Sequence, residues 1–414
     1  MPNLPFAPSG DRSGDRSSAS PDARSTAPPT PLEASRRLRD AMPVTRKWVY
    51  LDHAAVAPLP QPALDALQRW SLDAGENGDV HWPCWAARVE QVRQRAAGLL
   101  HADASEVAFV ANTTHGISCV AEGFPWQVGD NVVTVEHEFP SNIYPWRHLR
   151  DRGVEVRCVA PRGDRIELDD LAAACDARTR VLAISWIQYA AGWRICLDDV
   201  CDLAHSRGVL VMLDAIQGLG LFPLDVRQTP IDFLAADGHK WQLGPEGAGL
   251  LYVRAEHLER LRPWGVGWHS VPHPYDFSRV QTGWRPDAAR WEGGSSNMAG
   301  LHALGASLDL LADCGLTHRT SPLAVAALEF AAAADQFLRS RGAEVRGARD
   351  PAHRSSIVSF RWGERDLPAL RRRLLDERIV VSVRGDWLRI SPHGYNDAED
   401  LDRFRAAIDR VLSG

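Results

Sequence analysis

Residues 209–241 read VLVMLDAIQGLGLFPLDVRQTPIDFLAADGHKW. Two apolar runs of strand length lie in this stretch, the first ending on Asp214 and the second on Asp237, with Gly238, His239 and Lys240 directly after it. Short apolar runs bounded by turn formers predict strands buried on both faces, the pattern of a parallel sheet covered by helices. Just upstream, LDDVCDLAHSRG over 197–208 spaces Leu197, Val200 and Leu203 or Ala204 along one helical face and closes on Gly208, a C-cap residue. A strand–helix–strand unit follows from these residues alone.

Working outward, the same alternation recurs. EVAFVA (106–111), NVVTVE (131–136), VEVRCVA (154–160), RVLAIS (180–185) and GAGLLYV (247–253) bring the number of short strands to seven, separated by helix-length segments. An α/β domain with a mostly parallel seven-stranded sheet is expected. Beyond about residue 300 the pattern changes to an Ala/Leu-rich helix, LAVAALEFAAAADQFLRSRG, followed by SSIVSFRW and IVVSVRGDWLRISPHG. These predict a smaller α+β C-terminal domain. At the other end, residues 1–44 are rich in Pro, Ser, Gly, Asp and Arg and carry too little apolar surface to offset ordering entropy, so they are expected to form a disordered tail. The expected division is therefore a tail over 1–44, a large domain over 45–298, whose segment 45–65 packs on the small domain, and a small domain over 299–414.

The 414 residues carry a net charge of −6 with no basic arm, so nucleic acid is not the expected partner and a small molecule is. No apolar run reaches the ~20 residues of a membrane helix, and no apolar leader opens the chain, so a cytoplasmic protein with no membrane contact is expected. The seven cysteines form no CxxC pair, which predicts neither a zinc site nor a disulfide framework.

In open parallel sheets ligands gather at the carboxyl ends of strands, and the polar residues of this chain collect there. After EVAFVA comes NTTHGIS, where Asn112, Thr113 and Thr114 stand at the start of a helix, an anion site or a plain helix cap. After VLVML comes Asp214, a carboxylate that burial penalises unless a cation or strong donor faces it. After DFLAAD comes Lys240, one of only two lysines in a chain with 45 arginines. Arginine stays protonated, whereas a desolvated lysine can lose its proton and attack a carbonyl to form a Schiff base. A phosphate cradle, a buried acid and a nucleophilic lysine after adjacent strands are together what pyridoxal 5'-phosphate requires.

With these residues in view, the chain from YLDHAAVAPLP (50–60) to LRISPHGYN (388–396) resembles the class V aminotransferase family of fold-type I pyridoxal-phosphate enzymes, which includes cysteine desulfurases, selenocysteine lyase and isopenicillin N epimerase. The resemblance implies that Lys240 forms the Schiff base, Asp214 faces the pyridine nitrogen, Gln217 bonds the phenolic oxygen and Phe139 stacks on the ring. It also implies that Thr113, Thr114 and His239 hold the phosphate, joined by Ser295 from the partner of a homodimer with shared active sites. Asp237 stands where many relatives have Ser or Thr, and is not expected to touch the phosphate.

On the substrate side the resemblance points to Gln188, Tyr189, Arg384 and Arg389, with Arg389 gripping the α-carboxylate of an amino acid. Phe139 stands where desulfurases have histidine and cannot carry protons, which leaves His137 as a nearby candidate. The segment IVVSVRGDW lacks the loop that bears the desulfurase cysteine. A lyase acting on the side chain is the expected activity, ahead of an epimerase, an aminotransferase, and a non-catalytic binding or regulatory protein. Six of the tryptophans, Trp82, Trp85, Trp264, Trp268, Trp284 and Trp291, are expected in loops, either walling an aromatic pocket or packing between domains.

Overall fold

The computed structural model describes residues 28–413. In chain order the elements are α1 (Pro31–Asp40), β1 (Val49–Tyr50), α2 (Gln61–Asn77), α3 (Trp82–Leu100), β2 (Val107–Val110), α4 (Thr113–Gly123), β3 (Asn131–Val135), α5 (Tyr144–His148), β4 (Glu155–Val159), α6 (Leu168–Ala174), β5 (Thr179–Ser185), α7 (Leu197–His205), β6 (Leu210–Asp214), β7 (Phe233–Asp237) and β8 (Gly249–Val253). There follow α8 (Met298–Asp313), α9 (Pro322–Ser340), β9 (Glu344–Arg346), β10 (Val358–Arg361), α10 (Leu367–Asp376), β11 (Ile379–Val380), β12 (Ser382–Arg384), β13 (Trp387–Ile390) and α11 (Ala398–Ser413).

All seven expected strands join one sheet in the order β2-β8-β7-β6-β5-β3-β4. Strand β8 runs antiparallel to both of its neighbours and the remaining pairs are parallel. Strands β2, β6 and β7 therefore end on the same edge. Register sharpens this, because Asp214 lies opposite both Ser185 and Ala235, while Asp237 and Val110 both lie opposite Gly249. Helix α4 crosses the sheet closely enough that a Cβ on Gly116 would sit 2.8 Å from the Cβ of Ala235. Any larger residue at 116 would push the helix start away from the strand ends.

The smaller unit is a four-stranded antiparallel sheet, β12-β13-β10-β9, covered by α10, α11 and the second half of α9. Strand β1 adds to this unit by pairing parallel with β11, and Val49 and Leu51 join the small-domain core, while α2 from Gln61 onward packs on α8.

Two expected boundaries shift. Within the expected tail, residues 31–40 form α1, because Thr30 and Glu33 build a reciprocal capping box and Ala34 and Leu38 are fully buried in the main core. Averaging composition over 44 residues hides this short amphipathic signal; residues 1–27 lie outside the described residues. The division at 298/299 also moves. Leu301, Leu304 and Leu308 of α8 share a core with Val89, Val92 and Ala96 of α3, and the change of core falls inside α9, between Ala327 and Phe330. A helix shared by two cores gives no punctuation in sequence.

Candidate active site

A cavity of about 310 Å³ opens at the carboxyl edge of the large sheet, between it and the small domain. Its wall includes Asn112, Thr113, Thr114, Phe139, Tyr189, Asp214, Gln217, His239, Lys240, Arg384 and Arg389, so eleven of the thirteen residues singled out from sequence meet in one place.

Lys240 sits three residues past β7, in a loop against which Gly220 lies so closely that a Cβ there would be 2.5 Å from the backbone of Trp241 and Gln242. Its side chain is 6 % exposed, and its ammonium lies 5.5 Å from the Phe139 ring centre. Burial brings the Lys240 pKa down to about 8; the Asp214 carboxylate opposes that shift, and the Arg389 and Arg384 guanidinium groups reinforce it. A buried amine held near neutrality is a nucleophile and a base at physiological pH.

Asp214 ends β6 and is buried. Its carboxylate accepts the Ile216 N–H at 3.1 Å and has no cation at ion-pair distance among the described residues, so burial lifts its pKa to about 6. Such a group is short of a positive partner, and a protonated pyridine nitrogen is one. Gln217 is fixed at both ends of its amide, donating to Ala54 O at 3.1 Å and accepting from Trp241 Nε1 at 3.0 Å, which leaves one amide hydrogen for a ligand.

At the start of α4, the Asn112 side chain caps the helix by accepting the His115 N–H at 2.9 Å. The N–H groups of Thr113 and Thr114 find no acceptor among the described residues, which leaves them for an anion. Thr113 Oγ1 accepts the Asp237 N–H at 3.0 Å, tying β7 to the helix start, and Thr114 Oγ1 donates to Ser141 at 2.7 Å. Asp237 turns to the protein: its carboxylate accepts the Gly238 N–H at 2.7 Å and lies 2.8 Å from His239 Nδ1 as an ion-pair contact. The residues present thus fit pyridoxal phosphate, with donors for its phosphate, an acid for its nitrogen and an amine for its aldehyde.

The opposite wall comes from the small domain. Arg389, on β13, is fully buried; it donates to Tyr189 O at 2.7 Å and to Asp52 Oδ1 at 3.2 Å, while its Nε has no partner. Burial brings its pKa down to about 10, against the pull of Asp52. A buried guanidinium with an unused N–H is suited to a carboxylate ligand.

Two residues expected to bind cofactor or substrate, and the candidate proton carrier His137, stand elsewhere. Gln188 donates from its amide to Glu138 at 3.1 Å and lines a neighbouring cavity rather than that of Lys240. Its neighbour Tyr189 takes the cavity-facing place. Ser295 sits in the loop before α8, outside the cavity of its own chain. His137, the candidate proton carrier, also lines the neighbouring cavity. None of the six tryptophans reaches the Lys240 cavity; Trp82 and Trp85 belong to α3 and Trp291 is buried.

Sequence reasoning missed three contributors. The Ala54–Val56 backbone lines the cavity, and Asp52 anchors Arg389 while accepting Ser382 Oγ at 2.7 Å. The run YLDHAA carried the signal, an acid just past a short apolar strand. Glu138 is fully buried against Ser185 and Gln188, and burial lifts its pKa to about 7.

Comparison with known proteins identifies the family. The model of the aminotransferase class-V family matches residues 49–404. A protein described as a probable cysteine desulfurase from Methanothermobacter thermautotrophicus is 30 % identical over 397 residues, covering 90 % of this chain and 97 % of its own length. A cysteine desulfurase of Klebsiella pneumoniae is 31 % identical over 410 residues, with 91 % and 97 % covered. Among solved structures, the cysteine desulfurase CsdA of Escherichia coli superposes with a TM-score of 0.81 at 29 % identity, over 92 % of this chain and 98 % of that one. The cystine C-S lyase C-DES, solved with cysteine persulfide, shares the fold with a TM-score of 0.80 at 24 % identity, over 88 % and 97 %. The chain belongs to the class-V aminotransferase family of pyridoxal-phosphate-dependent enzymes.

Proposed function

We propose that the protein is a lyase that removes a group from the side chain of an amino acid, with its chemistry centred on Lys240. The observation that carries this reading is one cavity lined by a buried lysine of lowered pKa, a cation-seeking Asp214 and the Arg389 guanidinium. When bound, pyridoxal phosphate supplies an electron sink for the pair left at the α-carbon. Arg389 would bind the substrate α-carboxylate and so orient the amino acid in the cavity. Lys240 removes the α-proton and Asp214 holds the proton on the pyridine nitrogen. Thr113, Thr114 and His239 hold the phosphate.

The desulfurase relatives support carbon–sulfur chemistry, but this chain joins β12 to β13 by the two-residue turn Gly385–Asp386, with no cysteine in the hairpin. Sulfur would therefore leave on the fragment and not on the enzyme. Phe139 walls the cavity with a group that carries no proton, which favours elimination over inversion, a reaction that needs a second proton carrier. Ser295, outside its own cavity, is assigned to the phosphate of a partner subunit in a homodimer. The test is to incubate the holoprotein with a panel of L-amino acids, S-substituted cysteines included, and sort the products. A released side-chain fragment with pyruvate supports the reading; an inverted amino acid or a keto acid that retains its side chain overturns it.

A further inference from the structure

Beside the Lys240 cavity lies a second one of about 330 Å³, and the two share Tyr189 and Arg384 as their common wall. The second compartment runs from His137, past the apolar side chains of Ile166 and Ala191, to Arg346 and Trp387. Glu136, Asp164 and Asp386 also line it, Asp164 being neutralised by Arg346, so the subsite for an anion is the Arg384 junction and not the compartment as a whole. His137 holds a left-handed φ of 67° in this wall, a conformation that costs energy in a non-glycine residue and gathers at functional sites.

The cations around this compartment are not equivalent. Arg346 is held by Asp164 at 2.8 Å, Arg361 by Glu344 at 2.7 Å and Arg389 by Asp52 at 3.2 Å. Trp387 lies between the first two guanidinium groups, 5.0 and 4.3 Å from its ring centre, which fixes the far wall. Arg384, at the junction, donates only to the carbonyl of Val383 at 2.9 Å and has no carboxylate at ion-pair distance among the described residues. It ends β12 directly before the turn, where Gly385 has φ 55°, so the tight hairpin sets where the guanidinium stands. Of the two arginines that line this compartment, Arg346 has its carboxylate and Arg384 does not, so this half-buried guanidinium between two cavities is available to an anion on a ligand.

We propose that the second compartment receives the substrate side chain and that Arg384 pairs with an anionic group on it. The preferred substrates are then α-amino acids whose side chains are longer than that of cysteine and end in a carboxylate. This rests on the reading above in one respect, that Arg389 takes the α-carboxylate. The Lys240 cavity also houses the cofactor, so a side chain of that length has to leave it, and the wall it meets is the one made by Tyr189 and Arg384. Carboxylate and guanidinium form a charge-assisted, geometrically matched pair, while a cationic end would be repelled.

The experiment uses the holoprotein and three L-amino acids of similar length, 2-aminoadipate, norleucine and lysine, with affinity read by calorimetry and by the change in visible absorbance. Aminoadipate is expected to bind at least tenfold more tightly than norleucine, with lysine weakest. Arg384→Ala should shrink the aminoadipate-to-norleucine ratio at least fivefold, Arg384→Lys should retain most of it, and Arg384→Glu should move the preference to lysine. Equal affinity of the wild-type protein for all three ligands overturns the proposal, as does an equal loss for acidic and neutral ligands in Arg384→Ala. The wild-type ranking and Arg384→Lys keep the test decisive if a variant fails to fold. Fragment release from S-(2-carboxyethyl)cysteine is scored separately: the expected ranking without release keeps the subsite and removes the lyase reading, whereas release without the ranking does the reverse.

Discussion

The two walls of the Lys240 cavity are built on different plans. On the large-domain side, Thr113, Asp214 and Lys240 follow the ends of β2, β6 and β7, and strand register brings them to one edge. On the small-domain side, Arg389 is held by Asp52 from the N-terminal segment and by the Tyr189 carbonyl of a large-domain loop, a join of three distant pieces of chain. A wall set by register is rigid and tolerates loop changes around it. A wall set by a few side-chain bonds can be re-cut without disturbing the cofactor. Damage to the first wall should therefore abolish chemistry, and damage to the second should change which substrate is used.

The largest effect should come from Lys240→Ala, which removes the nucleophile and the base together. Turnover is expected to fall by roughly 10³-fold or more, measured as product formed by protein reconstituted with the cofactor. Next, Asp214→Asn should keep the cofactor bound but lower kcat by about 10²-fold, because a neutral amide no longer favours a protonated ring. Equal losses in kcat and cofactor affinity would mean that Asp214 only shapes the site.

Asp52→Asn addresses the other wall. It leaves the Arg389 guanidinium buried and uncompensated, so KM for the amino acid should rise about tenfold while kcat and the bound-cofactor spectrum change little, with a Tm loss of about 5 °C. A fall in kcat with unchanged KM would break the distinction between the walls.

Acidity gives a finer test. With its pKa brought from 10.5 to about 8, Lys240 costs stability in full below pH 8, where folded and unfolded chains are both protonated, and that cost is relieved as pH rises towards 10.5. Cofactor-free Lys240→Met should thus melt above the wild type at pH 7, by about 2 to 5 °C, and the gap should close at higher pH. Capture of the cofactor should quicken as pH rises to 8 and level off beyond it. The smallest expected effect is that of Ser295→Ala, a few-fold loss of cofactor affinity for one missing hydroxyl donor, seen by equilibrium dialysis.

The same contrast explains what the sequence disclosed. The strands were legible because all but the edge strand β4 are largely buried and read as short apolar runs, and Asp214 and Lys240 stood out because they end or closely follow such runs. The phosphate-side helix was legible through Asn112, Thr113 and Thr114 for a similar reason, a polar start after an apolar strand. By contrast, Asp52 lies just past the two-residue strand β1, and the Ser382 and Arg389 side chains that its carboxylate meets are more than 300 positions away, so nothing local to YLDHAA names those partners. Gln188 and Tyr189 are adjacent, and which of them faces the cavity depends on a backbone direction that a loop sequence does not encode. Helix α1 was hidden by its composition-biased surroundings, although the Thr30–Glu33 capping box was present in the letters.

The central claim is that Lys240 is the residue on which the cofactor is held, and the scarcity of lysine makes it directly measurable. Borohydride reduction of the holoprotein, followed by proteolysis and mass spectrometry, is expected to place the pyridoxyl group on the peptide containing Lys240 and leave Lys47 unmodified. Label on Lys47, or no covalent label in a protein that retains the bound cofactor, would contradict the account.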